Sequence, residues 1–263
     1  MKIVFICSSY REHGNTERIL LLLENSLLRL ADRNGVRLET ELIPLGREKI
    51  RPCHGCRLCF DRGEEYCPLK DDSMPLIQGK MRQADAVVAA GPVYVEDVNG
   101  IMKNWIDRLA FFCHRPAFYG KCAAVLSTSA AGSSNHAVIT MANALNAWGF
   151  RVVAKEKFRM GALMEPEQTA ALFENRADKI AAVLFRSIVE QSALKPSFPS
   201  RAAFSIRQAY YRKAEAGTKD YLYWKNNGWL EKTAVYFAGR RPNRMKTSCA
   251  RLIGFLVAKL ILT

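Results

Sequence analysis

Cys53, Cys56 and Cys59 stand at C-x2-C-x2-C spacing, and Cys67 follows with Pro68 behind it, so half of the chain's eight cysteines fall within 15 positions. Thiolates at this spacing converge from a tight loop on one metal centre. Three closely spaced cysteines with a more distant fourth suit a [4Fe–4S] cluster. Structural zinc more often uses two separated cysteine pairs, or cysteine with histidine. The residues by themselves leave iron–sulfur, zinc and a metal-free loop open. His54, directly after a cysteine with four thiols available, reads as a solvent-facing side chain. Cys7, Cys113, Cys122 and Cys249 fall in strand, helix or tail patterns and read as small core residues.

A second constellation lies near the start. Ser8-Ser9-Tyr10-Arg11-Glu12-His13-Gly14-Asn15-Thr16 follows an apolar run and opens a helical pattern. Backbone N–H groups at a helix N-terminus, with hydroxyls and an arginine beside them, make a site for a phosphate dianion. The plainer reading is a helix cap from Asn15 or Thr16 and a turn relieved by Gly14. The G-x-G-x-x-G fingerprint is missing here, which points to a mononucleotide rather than a dinucleotide.

Two further loops carry small or rigid residues. Gly91-Pro92-Val93-Tyr94 ends an apolar run, and Asn99-Gly100 opens a helix with Lys103, Trp105, Asp107 and Arg108. Ser127-Thr128-Ser129-Ala130-Ala131-Gly132 follows another run, and small residues there let backbone approach a flat ring. Both loops also fit ordinary turns. His13 and His114 read as satisfied surface or cap positions.

The elements that must position these loops alternate in type. Strands are expected at 2–8, 36–43, 85–91, 121–128 and 150–158, and helices at 16–32, 72–83, 99–112, 134–148 and 167–191. That alternation is the pattern of an α/β protein with a parallel sheet. The first run is apolar throughout, as for an interior strand; the second alternates, as for an edge. Five strands of this kind imply a doubly wound flavodoxin-like sheet, whose ligands sit beyond the carboxyl ends of the strands.

Here the sequence resembles a known family. The S-S-x-R-x-x-G-N-T loop, together with G-P-V-Y and N-G-x-x-K-x-x-x-D-R, is similar to the NADPH-dependent FMN reductases of the flavodoxin-like superfamily. The cysteine spacing adds a resemblance to the iron–sulfur flavoproteins of anaerobic prokaryotes, over residues 1 to about 190. The resemblance implies a flavin-dependent oxidoreductase with FMN and a [4Fe–4S] cluster, passing electrons between a donor and an acceptor. It implies NAD(P)H, ferredoxin or a small acceptor as redox partners, and a homodimer or higher homo-oligomer. It implies FMN contacts from Ser8, Ser9, Arg11, Gly14, Asn15 and Thr16, from Pro92, Val93, Tyr94, Asn99 and Gly100, and from Thr128, Ser129 and Gly132. Cys53, Cys56, Cys59 and Cys67 would hold the cluster, and no protein side chain is expected to act as a catalytic acid or base. A direct NAD(P)H-dependent FMN or quinone reductase without a working cluster is the alternative enzyme. A zinc-stabilised interaction module is the non-enzymatic one.

Charge divides the chain. Its 263 residues are 49% hydrophobic and 24% charged, an ordinary globular composition that excludes a disordered chain and a disulfide-stapled miniprotein. The net charge is +14, yet residues 1–194 contribute +3 and residues 195–263, with 14 basic and 3 acidic side chains, contribute +11. A proline break at Lys195–Ser200 marks the expected boundary between a flavodoxin-like domain and a mainly helical, basic, aromatic-rich extension.

Tyr210, Tyr211, Tyr221, Tyr223, Trp224, Trp229 and Tyr236 interleave with Arg and Lys in that extension. This composition serves single-stranded nucleic acid in some proteins. With a complete redox domain upstream, an arm packed on a partner subunit fits better than nucleic acid. Residues 244–262 form an amphipathic helix with Arg244, Ser248, Arg251 and Lys259 in a narrow stripe, to be covered by the body, a partner or an anionic membrane interface. Met1-Lys2 leads straight into an apolar strand with no export signal, so a cytoplasmic location is expected, with the inner membrane face as a peripheral possibility.

Overall fold

The computed structural model describes residues 1–130, 135–161, 164–190, 198–213, 215–237 and 244–261. Five parallel strands form the sheet in the order β2-β1-β3-β5-β6. They are β1 (Lys2–Cys7), β2 (Glu39–Pro44), β3 (Ala86–Tyr94), β5 (Cys122–Ser129) and β6 (Arg151–Arg159). Counting only these five, the order is the flavodoxin-like 2-1-3-4-5. A short sixth strand, β4 (Asp97–Val98), folds back antiparallel on the end of β3.

The expected elements are present with ends shifted by a few residues. β1 is interior and buried, and β2 is the half-exposed edge. The helices are α1 (Asn15–Arg33), α3 (Met74–Gln83), α4 (Gly100–Arg108), α6 (Asn135–Ala147) and α7 (Pro166–Val189). Two differences stand out. The single helix expected over 99–112 is broken into α4 and a short α5 (Phe111–His114). The cysteine segment carries its own turn of helix, α2 (Leu58–Asp61).

Alternation along each interior strand divides the core. Ile3, Phe5 and Cys7 face α1 and α7 with Val88, Ala90, Leu184 and Phe185. Val4 and Ile6 face the opposite layer with Val87, Ala89, Trp105, Met141 and Trp148. Both faces of the sheet are therefore covered, as a parallel sheet requires.

The extension is helical: α8 (Phe198–Tyr211), α9 (Lys219–Asn226) and α10 (Arg244–Ile261). Its aromatics make a small core of their own, with Phe204, Tyr211, Trp224, Trp229 and Phe237 buried. Most of the rings that the sequence interleaves with basic residues are thus turned inward and do not form an open stacking platform. The expected boundary at Lys195 lies outside the described residues, as does Gly132. Cys7 and Cys122 are buried as expected; Cys113 is half-buried and Cys249 is exposed, so Cys249 is not a core residue. It sits on a face of α10 turned away from the helix it packs on.

Candidate functional site

Beyond the carboxyl ends of β1, β3 and β5 lies a cavity of about 220 Å³. Its walls are Ser9, Arg11, Gly14, Asn15 and Thr16 from the first loop, Pro92, Val93 and Tyr94 from the second, and Thr128 and Ser129 from the third. Three segments that the sequence separates by up to 120 positions therefore meet at one site.

Local physics explains the shape. Gly14 is the N-cap of α1 and supplies no side-chain cap, so neither Asn15 nor Thr16 plays that part and the first N–H groups of the helix remain available to an anion. The Asn15 amide is used elsewhere, donating to the Gly161 carbonyl at 2.7 Å. Arg11 stands exposed at the rim and forms no ion pair among the described residues. Ser9 Oγ accepts the Arg11 N–H at 3.1 Å, which tightens the loop. Thr16 and Thr128 join their hydroxyls at 2.8 Å and lock the first loop to the third.

Asn99 stands behind this cavity and not in its wall. It is buried, donates to the Ser8 carbonyl at 2.6 Å, and caps α4 through the Met102 N–H. Gly100 begins α4 and is likewise outside the wall. Ser8 lies beneath the loop, its buried Oγ without a hydrogen-bond partner among the described residues. A Cβ at position 91 would meet that oxygen at 2.3 Å, so any larger residue there would force the Ser8 side chain to turn away. Ala130 and Gly161 also line the cavity, and sequence reading missed both. Gly161 enters because the Met160 N–H binds the Ser129 carbonyl, a contact with no local sequence signal.

The hairpin after Tyr94 follows directly on the cavity wall formed by Pro92, Val93 and Tyr94. Val95 and Glu96 both adopt positive φ, +46° and +73°, which gives the tight turn that joins β3 to β4.

Cys53, Cys56, Cys59 and Cys67 line a second cavity of about 410 Å³. Gly55 and Arg57 take left-handed conformations, φ +64° and +63°, and these reversals curl the segment around it. Burial, helped by the neighbouring Cys53 and Cys56 and opposed by the positive charge of Arg115, pushes the Cys59 thiol up to about 11. Among the described residues no three of histidine, cysteine, aspartate and glutamate are already drawn together as a metal site. The donor set itself fits: four soft thiols of one segment facing one space, with apolar Phe60, Leu69 and Phe111 around them.

Two buried arginines staple this segment, Arg108 at its two ends and Arg115 at its middle. Arg108 donates to the carbonyls of Arg51 and Leu69 and pairs with buried Asp72. Arg115 donates to the Cys59 carbonyl at 2.9 Å and pairs with Glu64 and with Asp220 of α9. His114 Nδ1 also meets Asp220, at 2.8 Å, so it is a satisfied polar group. Trp224 donates its indole N–H to the His114 carbonyl. The extension is thereby fastened to the cysteine segment.

The family model for NADPH-dependent FMN reductase matches residues 1–162. The chain belongs to the NADPH-dependent FMN reductase family. As a member it is an FMN-binding, flavin-dependent oxidoreductase, which sets aside a non-enzymatic interaction module. It is similar to an iron-sulfur flavoprotein of Archaeoglobus fulgidus, 26% identical over 235 residues, covering 88% of this chain and all of that one. It is also 35% identical over 108 residues to an iron-sulfur flavoprotein of Methanocaldococcus jannaschii, covering 41% of this chain and 51% of that one. Among solved structures, RosB with a bound 8-demethyl-8-formylriboflavin-5'-phosphate intermediate shares the fold, with a TM-score of 0.57 and 16% identity over 92% of both chains. Since this reductase-family chain aligns over 88% and 92% of its length in two of these comparisons, the likeness reaches beyond the matched 162 residues into the extension.

Proposed function

We propose that this FMN reductase-family protein relays electrons between FMN and a [4Fe–4S] cluster held by Cys53, Cys56, Cys59 and Cys67. The observation that carries the reading is the second cavity, where all four thiols line one space and their segment is pinned by Arg108 at its ends and by Arg115 at its middle. Bound flavin exchanges electrons singly or in pairs and a cubane exchanges them singly, so the two together bridge hydride and one-electron chemistry.

The chain's own residues bind and orient. The free N–H groups of α1, with Arg11 and the hydroxyls of Ser9 and Thr16, take the FMN phosphate. Pro92, Val93 and Tyr94 border the ring, with Thr128 and Ser129 on the other side. Ser8, Asn99 and Gly100 support the loop from behind. Apolar Phe60, Leu69 and Phe111 wall the cysteine cavity on one side, while Cys53 and Cys56 are exposed to solvent. The redox partners are a donor such as NAD(P)H or a ferredoxin-type protein and a small acceptor, in a cytoplasmic homo-oligomer.

Anaerobic purification with flavin, iron and sulfide quantified together tests this. About four iron and four sulfide per flavin are expected, and Cys56→Ser should lower both. Flavin without stoichiometric iron or sulfide overturns the relay. It would favour a direct NAD(P)H-dependent FMN or quinone reductase, a reading supported by the family match.

A further inference from the structure

Helix α10 packs against α8 through its smallest residues. Thr247, Ala250, Gly254 and Ala258 recur at three- and four-residue spacing and are buried. A Cβ on Gly254 would lie 2.6 Å from the Ser205 carbonyl carbon, so the two backbones approach as closely as glycine allows. Large apolar side chains are left on the opposite face. Met245 is 74% exposed, Leu252 61%, Phe255 56% and Leu256 51%. They share one side of a helical wheel. Exposed Lys259 lies on the same side, and an exposed, mostly apolar strip of this kind marks an interaction surface.

Charge identifies what fits it. Helix α10 contains no acidic residue, and the whole extension has three against 14 basic ones. Two of those three are spent on the body: Glu215 pairs with Arg57 and Asp220 with Arg115. Around the apolar strip cations remain. Lys213 lies 5.6 Å over the Phe255 ring, and exposed Arg251 holds the carbonyl of exposed Lys232. A second copy of the chain would set the same cations against each other. An anionic lipid surface accepts both features, taking apolar side chains into the headgroup boundary and attracting the lysines and arginines. None of the described helices is long and apolar enough to cross a membrane, so α10 would lie on the surface and not span it.

We propose that α10 is an interfacial helix that docks this oxidoreductase on an anionic membrane surface. The dock holds the flavin body against the bilayer through the extension, while the cofactor loops at the sheet edge remain part of the body. It does not depend on whether the cysteines hold a cluster.

Flotation of the full-length, FMN-loaded protein with vesicles tests it, using phosphatidylcholine mixed with phosphatidylglycerol and phosphatidylcholine alone. The protein should float with the mixed vesicles, remain behind with the neutral ones, and be released progressively by salt. Leu252→Glu with Leu256→Glu should abolish flotation, with FMN content and molecular mass in solution unchanged. Lys213→Glu with Lys232→Glu should weaken partitioning by about tenfold or more, since each cation near such a surface counts for about fivefold. Absence of wild-type flotation, or equal binding to neutral vesicles, overturns the proposal. So does a change of the leucine variant from oligomer to monomer by light scattering, which would show that a second copy covers the strip.

Discussion

The guanidinium of Arg115, just past the end of α5, donates to the carboxylate of Asp220 on α9 and at the same time to the Cys59 carbonyl. Both charged side chains are buried, Arg115 at 4% and Asp220 at 0% exposure. A buried ion pair contributes little net stability when intact, but breaking it strands a charge in a medium that solvates it poorly. The extension therefore completes the electrostatics of the cysteine segment.

Asp220→Asn keeps the shape and removes the charge, leaving Glu64 as the one acidic partner of Arg115 among the described residues. A loss of about 3 kcal/mol is expected, read by urea unfolding followed through Trp224 and Trp229 fluorescence. Cys59 should also alkylate faster. An unchanged midpoint and an unchanged alkylation rate would show that the pair does not brace the segment.

The Thr16–Thr128 bridge gives a separable test of loop locking. Thr128→Val alone orphans a buried hydroxyl and should cost about 1–2 kcal/mol, whereas replacing both threonines by valine should recover most of that loss. Flavin affinity should stay low in the double variant, because the Thr16 hydroxyl is also proposed to hold the phosphate. A double variant that regains both stability and affinity would confine the pair to a structural role.

Arg11 is exposed, and its removal disturbs no packing. Arg11→Ala should weaken FMN binding by about tenfold, the value of one charge-assisted hydrogen bond, with unfolding unaffected. Titration followed by flavin fluorescence measures it, and unaltered affinity would exclude Arg11 from the phosphate site.

Burial pushes the thiols of Cys7 and Cys122 up to about 11 from an ordinary value near 9. The folded chain thus keeps protons that the unfolded chain gives up. Stability from these two groups is complete below about pH 9 and is lost as pH rises toward 11, by about 2–3 kcal/mol per thiol. Denaturation under reducing conditions between pH 7 and about pH 10.5 should show a steeper decline for the wild type than for Cys7→Ala with Cys122→Ala. Parallel declines would mean that other groups carry the alkaline loss.

Periodicity made the body legible. The unbroken run Lys2–Cys7 could be only an interior strand, and five strand–helix units of this kind have one common doubly wound arrangement. Turn chemistry hid what was missed. Val95 and Glu96 hold positive φ without a glycine, so the hairpin that extends β3 through Tyr94 left no mark in the sequence. Asn99 was found as a residue of the site, but its place behind the loop depends on the Ser8 carbonyl 91 positions away. Nor does a helical wheel tell which face of α10 is inside; Gly254 decides that through the closeness of Ser205.

Arg115 and Asp220 are 105 positions apart in the chain. At about 5–20 residues per second, synthesis takes about 5–20 s between the two; β5, α6, β6 and α7 are made in that time, and Arg115 has no counter-ion from α9 until they are complete. During that interval the cysteine segment is held at Arg108 but only partly at Arg115. Arrival of α9 then gives Arg115 its buried carboxylate and braces the segment. The order in which the ribosome delivers the two residues makes that bracing a late event, with the extension acting last.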